Sequence, residues 1–315
     1  MPIKRVLKLM MSRPSISFVL DSKLLFKAHI LMSSINKFSL DKKIKVNLGV
    51  PENIIFEEKI TKIIDEFEDM PNISLDIISF KNSFDNYPIG NKIELVSRIN
   101  DHFTYFLDTD MMFCNYFSLK SLADDEILLK QADIRTWGSQ KEWEYIFDRF
   151  SLTSKLGYYT TLDKSLGYAY YNAGFIGISN PKKFGQTWKR ISLMIDEDDN
   201  IKNKRPWLDQ ISLPIAILKE KKKVKLAEPE YNYPGHLYAT KPTSILVHYH
   251  HLDYLFVDRN LNSAALKIGM NFKYYFKKYE QNYRFGFVIR AMNNIFNGFI
   301  QKIARLKALH NAKCK

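Results

Sequence analysis

Cysteine, glycine and proline are all scarce in this sequence. Two of its 315 residues are cysteine, Cys114 and Cys314, and it has only 12 glycines and 11 prolines. So few cysteines exclude a disulfide framework or a cysteine-based zinc site, and they favour a reducing compartment. The low glycine count argues against a long glycine-rich loop for binding phosphate.

Long hydrophobic runs are absent as well. No segment approaches the ~18 consecutive apolar residues that a transmembrane helix needs. Residues 1–13 carry four basic side chains, and their apolar stretches are too short for the core of a signal peptide. We therefore expect a cytoplasmic protein. Hydrophobic residues make up 46% and charged residues 26% of the chain, which is ordinary globular composition and excludes a disordered chain.

Basic charge is concentrated near the C-terminus. The formal net charge is +13, and residues 266–315 contain eleven Lys or Arg against one acid, Glu280, so eleven minus one, or +10, lies in this stretch. We predict a catalytic domain over residues 14–260 followed by a basic helical tail over residues 261–315. This distribution favours a catalytic body with a basic tail over a nucleic-acid-binding protein.

Apolar residues in the tail recur at steps of three and four, as on one face of an amphipathic helix. They are Phe285, Val288, Ile289, Met292, Ile295, Phe296, Phe299, Ile303 and Leu306. A basic helix of this kind fits the surface of an anionic membrane, which predicts a peripheral location. A helix packed on the catalytic body explains the pattern equally well.

Apolar runs alternate with amphipathic stretches in the first third of the chain. The patterns predict strands at 15–21, 44–50, 73–80 and 102–107, with helices at 23–35, 57–67 and 92–100. This alternation indicates an α/β fold with a doubly wound sheet. Beyond it we predict a helix or mixed segment at 118–131, an aromatic stretch with a kink at 168–178, helices at 181–196 and 207–218, and a late strand at 244–247.

Two carboxylates, Asp108 and Asp110, follow the predicted strand at 102–107. Residues two apart on a strand share a face, so both could reach the crevice at the carboxyl edge of the sheet. Two carboxylates that close repel each other unless a cation joins them, and a hard divalent ion such as Mn²⁺ or Mg²⁺ fits such a pair. The competing interpretation is a strand-end turn with a solvated Asp and a helix-capping Asp.

Three further stretches carry polar groups suited to a binding site. Asn172 and Gly174 combine an amide with room for close backbone approach, although a tight turn with a structural Asn would look the same. Asp209 and Gln210 begin a predicted helix, where a carboxylate could simply cap it. His248 ends the strand at 244–247, and neutral imidazole is a good ligand for Mn²⁺. His250, on the same side of that strand, is the second choice.

The segment Tyr105-Phe-Leu-Asp-Thr-Asp-Met-Met-Phe113 resembles the Asp-x-Asp motif of nucleotide-sugar glycosyltransferases with the GT-A fold. It is most similar to glycosyltransferase family 8 and its relatives. Further stretches are similar in order and rough spacing, and the set extends from about residue 15 to residue 251. They are Phe18–Asp21 with Ser33-Ser34, Tyr87–Lys92, Tyr171–Phe175, Trp207–Gln210 and Pro229–Asn232.

The resemblance implies a GT-A fold with a mixed sheet and the transfer of a sugar from a nucleoside diphosphate sugar to an acceptor hydroxyl. UDP is the expected nucleotide, retention the expected stereochemistry, and a glycan or a lipid-linked sugar the expected acceptor, in the synthesis of a surface glycan or glycolipid. For nine candidate residues the resemblance implies roles. The expected metal ligands are Asp108, Asp110 and His248. The two acids, with Asp21, Lys92 and Gly174, are expected to bind the donor, and the expected catalytic residues, at the sugar, are Asn172, Asp209 and Gln210.

The chain also departs from the family. The usual Gly and Lys-Pro-Trp after the strand-end histidine are missing, and the chain reads His250-His-Leu-Asp-Tyr254. The diphosphate contact normally made there falls to Lys92, Arg98 or His251. Two other functions stay open: a nucleotidyltransferase-type metal enzyme, although no Gly-Ser pair lies near the first strand, and a non-catalytic protein that binds membrane or nucleic acid through its basic tail.

Overall fold

A computed structural model describes residues 13–153, 156–162 and 166–270. The predicted amphipathic tail begins at residue 261, and most of it, residues 271–315, lies outside the described residues. Among those described, no helix is long and apolar enough to cross a membrane. The strands are β1 Ser15–Val19, β2 Ile44–Pro51, β3 Ile73–Phe80, β4 Phe103–Leu107, β5 Met111–Phe113, β6 Glu126–Gln131, β7 Gly157–Tyr158, β8 Leu166–Gly167, β9 Tyr171–Ser179, β10 Lys223–Leu226, β11 Tyr233–Pro234 and β12 Leu246–His248.

Eight helices complete the described part of the chain. They are α1 Leu25–Phe38, α2 Glu58–Glu68, α3 Gly90–Val96, α4 Gln140–Arg149, α5 Pro181–Asp196, α6 Leu208–Lys219, α7 Tyr254–Val257 and α8 Arg259–Lys267. The predicted helices at 23–35, 57–67, 181–196 and 207–218 are all present. α5 has the bounds that its proline start and amphipathic pattern predict.

Seven strands form the central sheet, in the order β10-β6-β9-β4-β1-β2-β3. β9 runs antiparallel to both of its neighbours, and the other pairs are parallel, which gives the mixed, doubly wound sheet that was predicted. Alternate residues point to opposite faces. Tyr105 and Phe175 pack in the core beneath α1 and α2, whereas Phe106 and Ile176 pack in the core beneath α3, α5 and α6.

Three stretches differ in detail from their predicted structure. The segment 118–131, predicted to be a helix or mixed, contains no helix, and its second half is strand β6 because it pairs with β9 and β10. The Asn172-Ala-Gly174 stretch is not a turn but part of β9, next to a register shift in the pairing with β6. The basic run at 219–225 contains a turn and then the start of the edge strand β10.

The division of the chain at residue 260 stays a prediction. Helix α8 crosses that position, and its Leu261, Ala264 and Ala265 are buried in the same core as α1. Residues 261–270 therefore pack with the body.

A second, three-stranded sheet holds the end of β4 against the late part of the chain. β5 pairs antiparallel with β12, and Met111 lies opposite His248 in the register. The backbone N–H of Tyr249 donates to the Asp110 carbonyl at 3.1 Å, and the Thr109 hydroxyl donates to Val19 O at 2.7 Å. These bonds place Asp110 beside His248 at the carboxyl ends of β1 and β4.

Helix α5 approaches α3 closely at Gly185. A β-carbon on Gly185 would overlap with the backbone of Val96 and Ser97 at the end of α3. We expect Gly185→Ala to lower the free energy of unfolding by about 1–3 kcal/mol, because overpacking outweighs the gain in helix propensity. Urea denaturation measures the change. Gln186→Ala, at the exposed neighbouring position, is the matched control, and equal stability of the two variants would contradict this packing.

Candidate active site

A cavity of about 370 Å³ opens at the carboxyl ends of β1 and β4. This edge of a parallel sheet is where open α/β folds bind ligands. Eight of the nine predicted site residues line the cavity: Asp21, Lys92, Asp108, Asp110, Asn172, Asp209, Gln210 and His248. The ninth, Gly174, lies behind Asp108. The structure therefore brings together residues that are spread over 228 positions of sequence, from 21 to 248 (248 − 21 + 1).

One side of the cavity is a carboxylate with two imidazoles. His248 Nε2 lies 2.9 Å from Asp110 Oδ1, and His250 Nδ1 lies 3.9 Å from Asp110 Oδ2. The two imidazole rings stack with their centroids 3.7 Å apart. Ligand atoms from these three residues all lie within 4.8 Å of one another. This donor set fits a divalent transition-metal ion.

Neutral imidazoles and an ionised carboxylate are the forms that bind a metal ion. Burial opposes ionisation of Asp110, but His248 and Lys27 outweigh it and hold the pKa of Asp110 well below its usual range. Burial, with the nearby His248, lowers the pKa of His250 to about 2 and that of His236 to about 4. His248 Nδ1 is buried and has no hydrogen-bond partner among the described residues.

Asp108 does not join this group. Its Oδ1 lies 2.8 Å from Lys92 Nζ, which is also 3.0 Å from Asp209 Oδ2. Burial alone would lower the pKa of Lys92, but the charges of Asp108 and Asp209 outweigh it and raise the pKa above its usual range. The charged Lys92 ammonium therefore joins Asp108, which follows β4, to Asp209 at the start of α6. The assignment of Asp108 as a metal ligand stays a prediction.

Asp209 is held from a second direction. The Tyr87 hydroxyl lies 3.2 Å from Asp209 Oδ1 and 2.9 Å from the Pro206 carbonyl oxygen. Asp209 is only 3% exposed, whereas the next residue, Gln210, is half-buried on the cavity wall. Asp209 does not cap the helix, since the N-cap is Trp207 and no side chain caps it; its two carboxylate oxygens face Tyr87 and Lys92 instead.

Asn172 and Gly174 shape the floor of the cavity. The Asn172 side-chain oxygen accepts a hydrogen bond from the Gly174 N–H at 2.8 Å, and the Gly174 carbonyl accepts one from the Asp108 N–H at 2.7 Å. A β-carbon at Gly174 would come within 2.5 Å of Asp108 Oδ2. Glycine is needed here because the backbone of β9 passes directly beside the Asp108 carboxylate.

Three residues in contact with the candidate site residues were not predicted from the sequence. Lys27 Nζ, on α1, donates to the His250 carbonyl at 2.6 Å and lies 3.5 Å from Asp110 Oδ2. The His236 ring meets the His250 ring at 83°, with centroids 4.0 Å apart. Tyr87 lies in the stretch Tyr87–Lys92, but the sequence predicts no role for its hydroxyl. Nothing in the local pattern distinguishes Lys27 from a surface lysine, whereas the four histidines at 236–251 were a usable signal.

Two of the three candidates for the diphosphate contact do not line the cavity. Arg98 pairs with the buried Glu94, and His251 is exposed. Lys92 is the candidate that lines the cavity.

Removing the charge of Lys92 would leave two carboxylates without their shared partner. We expect Lys92→Met to lower the free energy of unfolding by about 3–5 kcal/mol, since breaking a buried ion pair leaves an uncompensated charge. Lys92→Arg should retain more of the stability than Lys92→Met. Lys62→Met, on the exposed face of α2, is the control and should change stability by less than ~0.5 kcal/mol. Equal melting of the Lys62 and Lys92 methionine variants would contradict the role of Lys92.

Known proteins match this chain at the level of family and fold. Residues 16–221 match the model of the Rhodobacterales glycosyltransferase domain. The glycosyltransferase GlyE of Streptococcus pneumoniae TIGR4 aligns with 15% identity and a TM-score of 0.53, over 84% of this chain and 63% of GlyE. Its apo form gives 14% identity and a TM-score of 0.55, over 85% and 63%. The chain therefore spans less than two thirds of the length of GlyE.

Galactosyltransferase LgtC, in complex with donor and acceptor sugar analogs, aligns with 14% identity and a TM-score of 0.48, over 81% of this chain and 95% of LgtC. No curated protein sequence matches the chain. The GlyE structures share the GT-A-like fold. The narrower likeness to glycosyltransferase family 8 stays a prediction. Because the family model covers more than half of the chain, this protein belongs to the family of the Rhodobacterales glycosyltransferase domain.

Proposed function

We propose that this protein transfers a sugar from a nucleoside diphosphate sugar to an acceptor hydroxyl, with a divalent cation bound at the donor diphosphate. The observation that carries the proposal is the cavity at the carboxyl edge of the sheet, which has the Asp110–imidazole group on one side and the Lys92–Asp209 pair on the other. A UDP-sugar is the proposed donor, and a glycan or lipid-linked sugar in surface glycan or glycolipid synthesis the proposed acceptor.

Asp110 and His248 would hold the cation, which supplies neutralising charge for the departing diphosphate. The cation is Mn²⁺ or Mg²⁺ in this proposal. The residues fit it because their ligand atoms already converge, and the buried His248 carries a ring nitrogen without a hydrogen-bond partner among the described residues. Asp21 also borders a second cavity, which extends along the ends of β2 and β3, so it would contact the nucleoside.

The residues on the opposite side would bind and orient the sugar. Asp209 is held by Lys92 and Tyr87, so it would keep its orientation as positive charge develops on the sugar. Gln210 and Asn172 offer amide groups to the sugar hydroxyls from two walls of the cavity. Transfer with retention of the anomeric configuration is part of the proposal, and NMR of the product's anomeric proton would test it.

The first test is donor turnover. We expect Asp110→Asn to lower Mn²⁺-dependent hydrolysis of the best donor in a UDP-sugar panel by at least ~100-fold, or ~2.7 kcal/mol of transition-state stabilisation. Asp108→Asn should be similarly impaired, because Asp108 lines the same cavity. The control is Glu68→Gln at the exposed end of α2. Turnover near the unmodified level in both Asp variants, or in a chelator, would overturn the proposed metal dependence.

Association with an anionic membrane through the tail is a separate proposal. Each basic residue near such a surface contributes ~1 kcal/mol. Changing Arg290, Lys302, Arg305 and Lys307 to Gln should therefore weaken sedimentation with phosphatidylserine vesicles by about 1000-fold at low salt. The control changes four exposed lysines of the body to Gln: Lys37, Lys62, Lys81 and Lys219. An unmodified chain that stays in the supernatant would refute membrane association.

A further inference from the structure

A second buried charge lies on helix α3, two residues after Lys92. Glu94 is 0% exposed, and it is not among the described residues that line the two cavities. Lys189 Nζ, on α5, lies 2.8 Å from Glu94 Oε1 and 3.0 Å from Glu94 Oε2, and Arg98 also pairs with Oε2. Burial opposes ionisation of Glu94, but hydrogen bonds from Lys189, Ser83 and Arg98 outweigh it and hold the pKa of Glu94 below its usual range. The carboxylate is therefore ionised, with two cations beside it.

Glu94 also accepts a hydrogen bond from outside this group of charges. The backbone N–H of Ser83 donates to Glu94 Oε1 at 3.1 Å. Ser83 is exposed, so water could satisfy this N–H equally well. Releasing the N–H to water would, however, take a hydrogen bond from a buried carboxylate, which is costly. The bond therefore fastens the chain at Ser83 to helix α3.

The loop of residues 81–88, between β3 and α3, contains this N–H. Within the loop, the Asn82 side-chain amide donates to the Tyr87 carbonyl at 3.0 Å. The far end of the loop is fixed separately, because the Tyr87 hydroxyl donates to the Pro206 carbonyl at 2.9 Å. The loop thus has one anchor at the buried carboxylate and another at the Tyr87 hydroxyl.

This loop forms a wall of the second cavity, which has a volume of about 700 Å³. Every residue of the loop except Ser83 lines that cavity. The second cavity shares Asp21, Pro88 and Asn91 with the cavity that holds Asp110. A nucleoside diphosphate with its diphosphate beside Asp110 would therefore have its nucleoside against the loop.

We propose that Glu94 is a positioning residue for donor binding, which fixes the loop 81–88 as the wall against which the nucleoside packs. This inference rests on the proposed function, since the nucleoside is that of the proposed donor. A wall that is ordered in advance lowers the entropy cost of binding. Lys92 then orients the acids on the sugar side of α3, and Glu94 orients the nucleoside side. Because Tyr87 holds its end of the loop independently, losing the Glu94 contact should affect donor affinity and spare the chemical step.

Steady-state hydrolysis of the best UDP-sugar donor by the full-length protein, with Mn²⁺ present, tests the proposal. Ser83→Pro removes the N–H that Glu94 accepts, at a position whose side chain is exposed. It should raise KM at least ~10-fold and change kcat by less than about threefold, which is the signature of lost binding. Ser83→Ala keeps the N–H and is the matched control, with both constants near those of the unmodified chain.

A second pair of variants separates positioning from stability. Glu94→Ala and Lys189→Gln both remove the ion pair between α3 and α5, so both should lower the melting temperature. Only Glu94→Ala removes the acceptor of the Ser83 N–H, so it should raise KM at least ~10-fold, whereas Lys189→Gln should change KM by less than about threefold. Glu94→Gln keeps a side-chain oxygen that can accept the bond and should recover part of the donor affinity.

A purely structural role for Glu94 makes different predictions. It expects Ser83→Pro to keep the KM of Ser83→Ala, and Glu94→Ala to lower kcat through loss of folded protein at an unchanged KM. Either result would overturn the inference and leave the proposed function intact. Ser83→Pro leaves the group of charges untouched, so the test does not depend on Glu94→Ala folding. If the unmodified chain turned over no nucleoside diphosphate sugar, the proposed function would be refuted and this inference with it.

Discussion

The buried ammonium of Lys92 connects the parts of the cavity. Its Nζ atom lies between Asp108 and Asp209, so it joins α3 to the end of β4 and to the first turn of α6. A lysine that is 8% exposed is tolerated because two carboxylates surround it. The same ion pairs fix the orientations of the two acids. The charge network therefore stabilises the fold and arranges the polar groups of the cavity at once.

Strand pairing makes the opposite wall. Asp110 and His248 are 138 residues apart, and they meet because β5 and β12 pair in a register that sets Met111 against His248. Slipping that register by one residue would turn the His248 ring away from Asp110. The hydrophobic residues Met111, Met112, Leu246 and Val247 are fully buried, and they fix the register. The packing of these apolar residues thus sets the positions of Asp110 and His248, which are not part of that packing.

Local sequence predicted the elements that carry their own signals. The period of α5 and its starting proline give its bounds, and the acid pair marks the edge of the sheet where the cavity opens. Strand β6 carried no such signal, because six residues of mixed polarity become a strand only through pairing with β9 and β10. The orientation of Asp108 toward Lys92 depends on three segments distant in sequence, so spacing within one motif could not predict it. Lys27 has no sequence signal, since only the fold brings α1 beneath Asp110.

The residues of the cavity differ in how freely they could be replaced, and Gly174 is at a position that admits no larger side chain. Its missing side chain lets the β9 backbone lie directly behind the Asp108 carboxylate on the cavity floor, and any larger residue would displace that carboxylate. The rim is different, since Pro88, Ile89 and Trp207 line it from segments next to helices α3 and α6. If the chain transfers a sugar as proposed, the floor would limit how deeply the sugar enters, and the rim would decide which sugar fits.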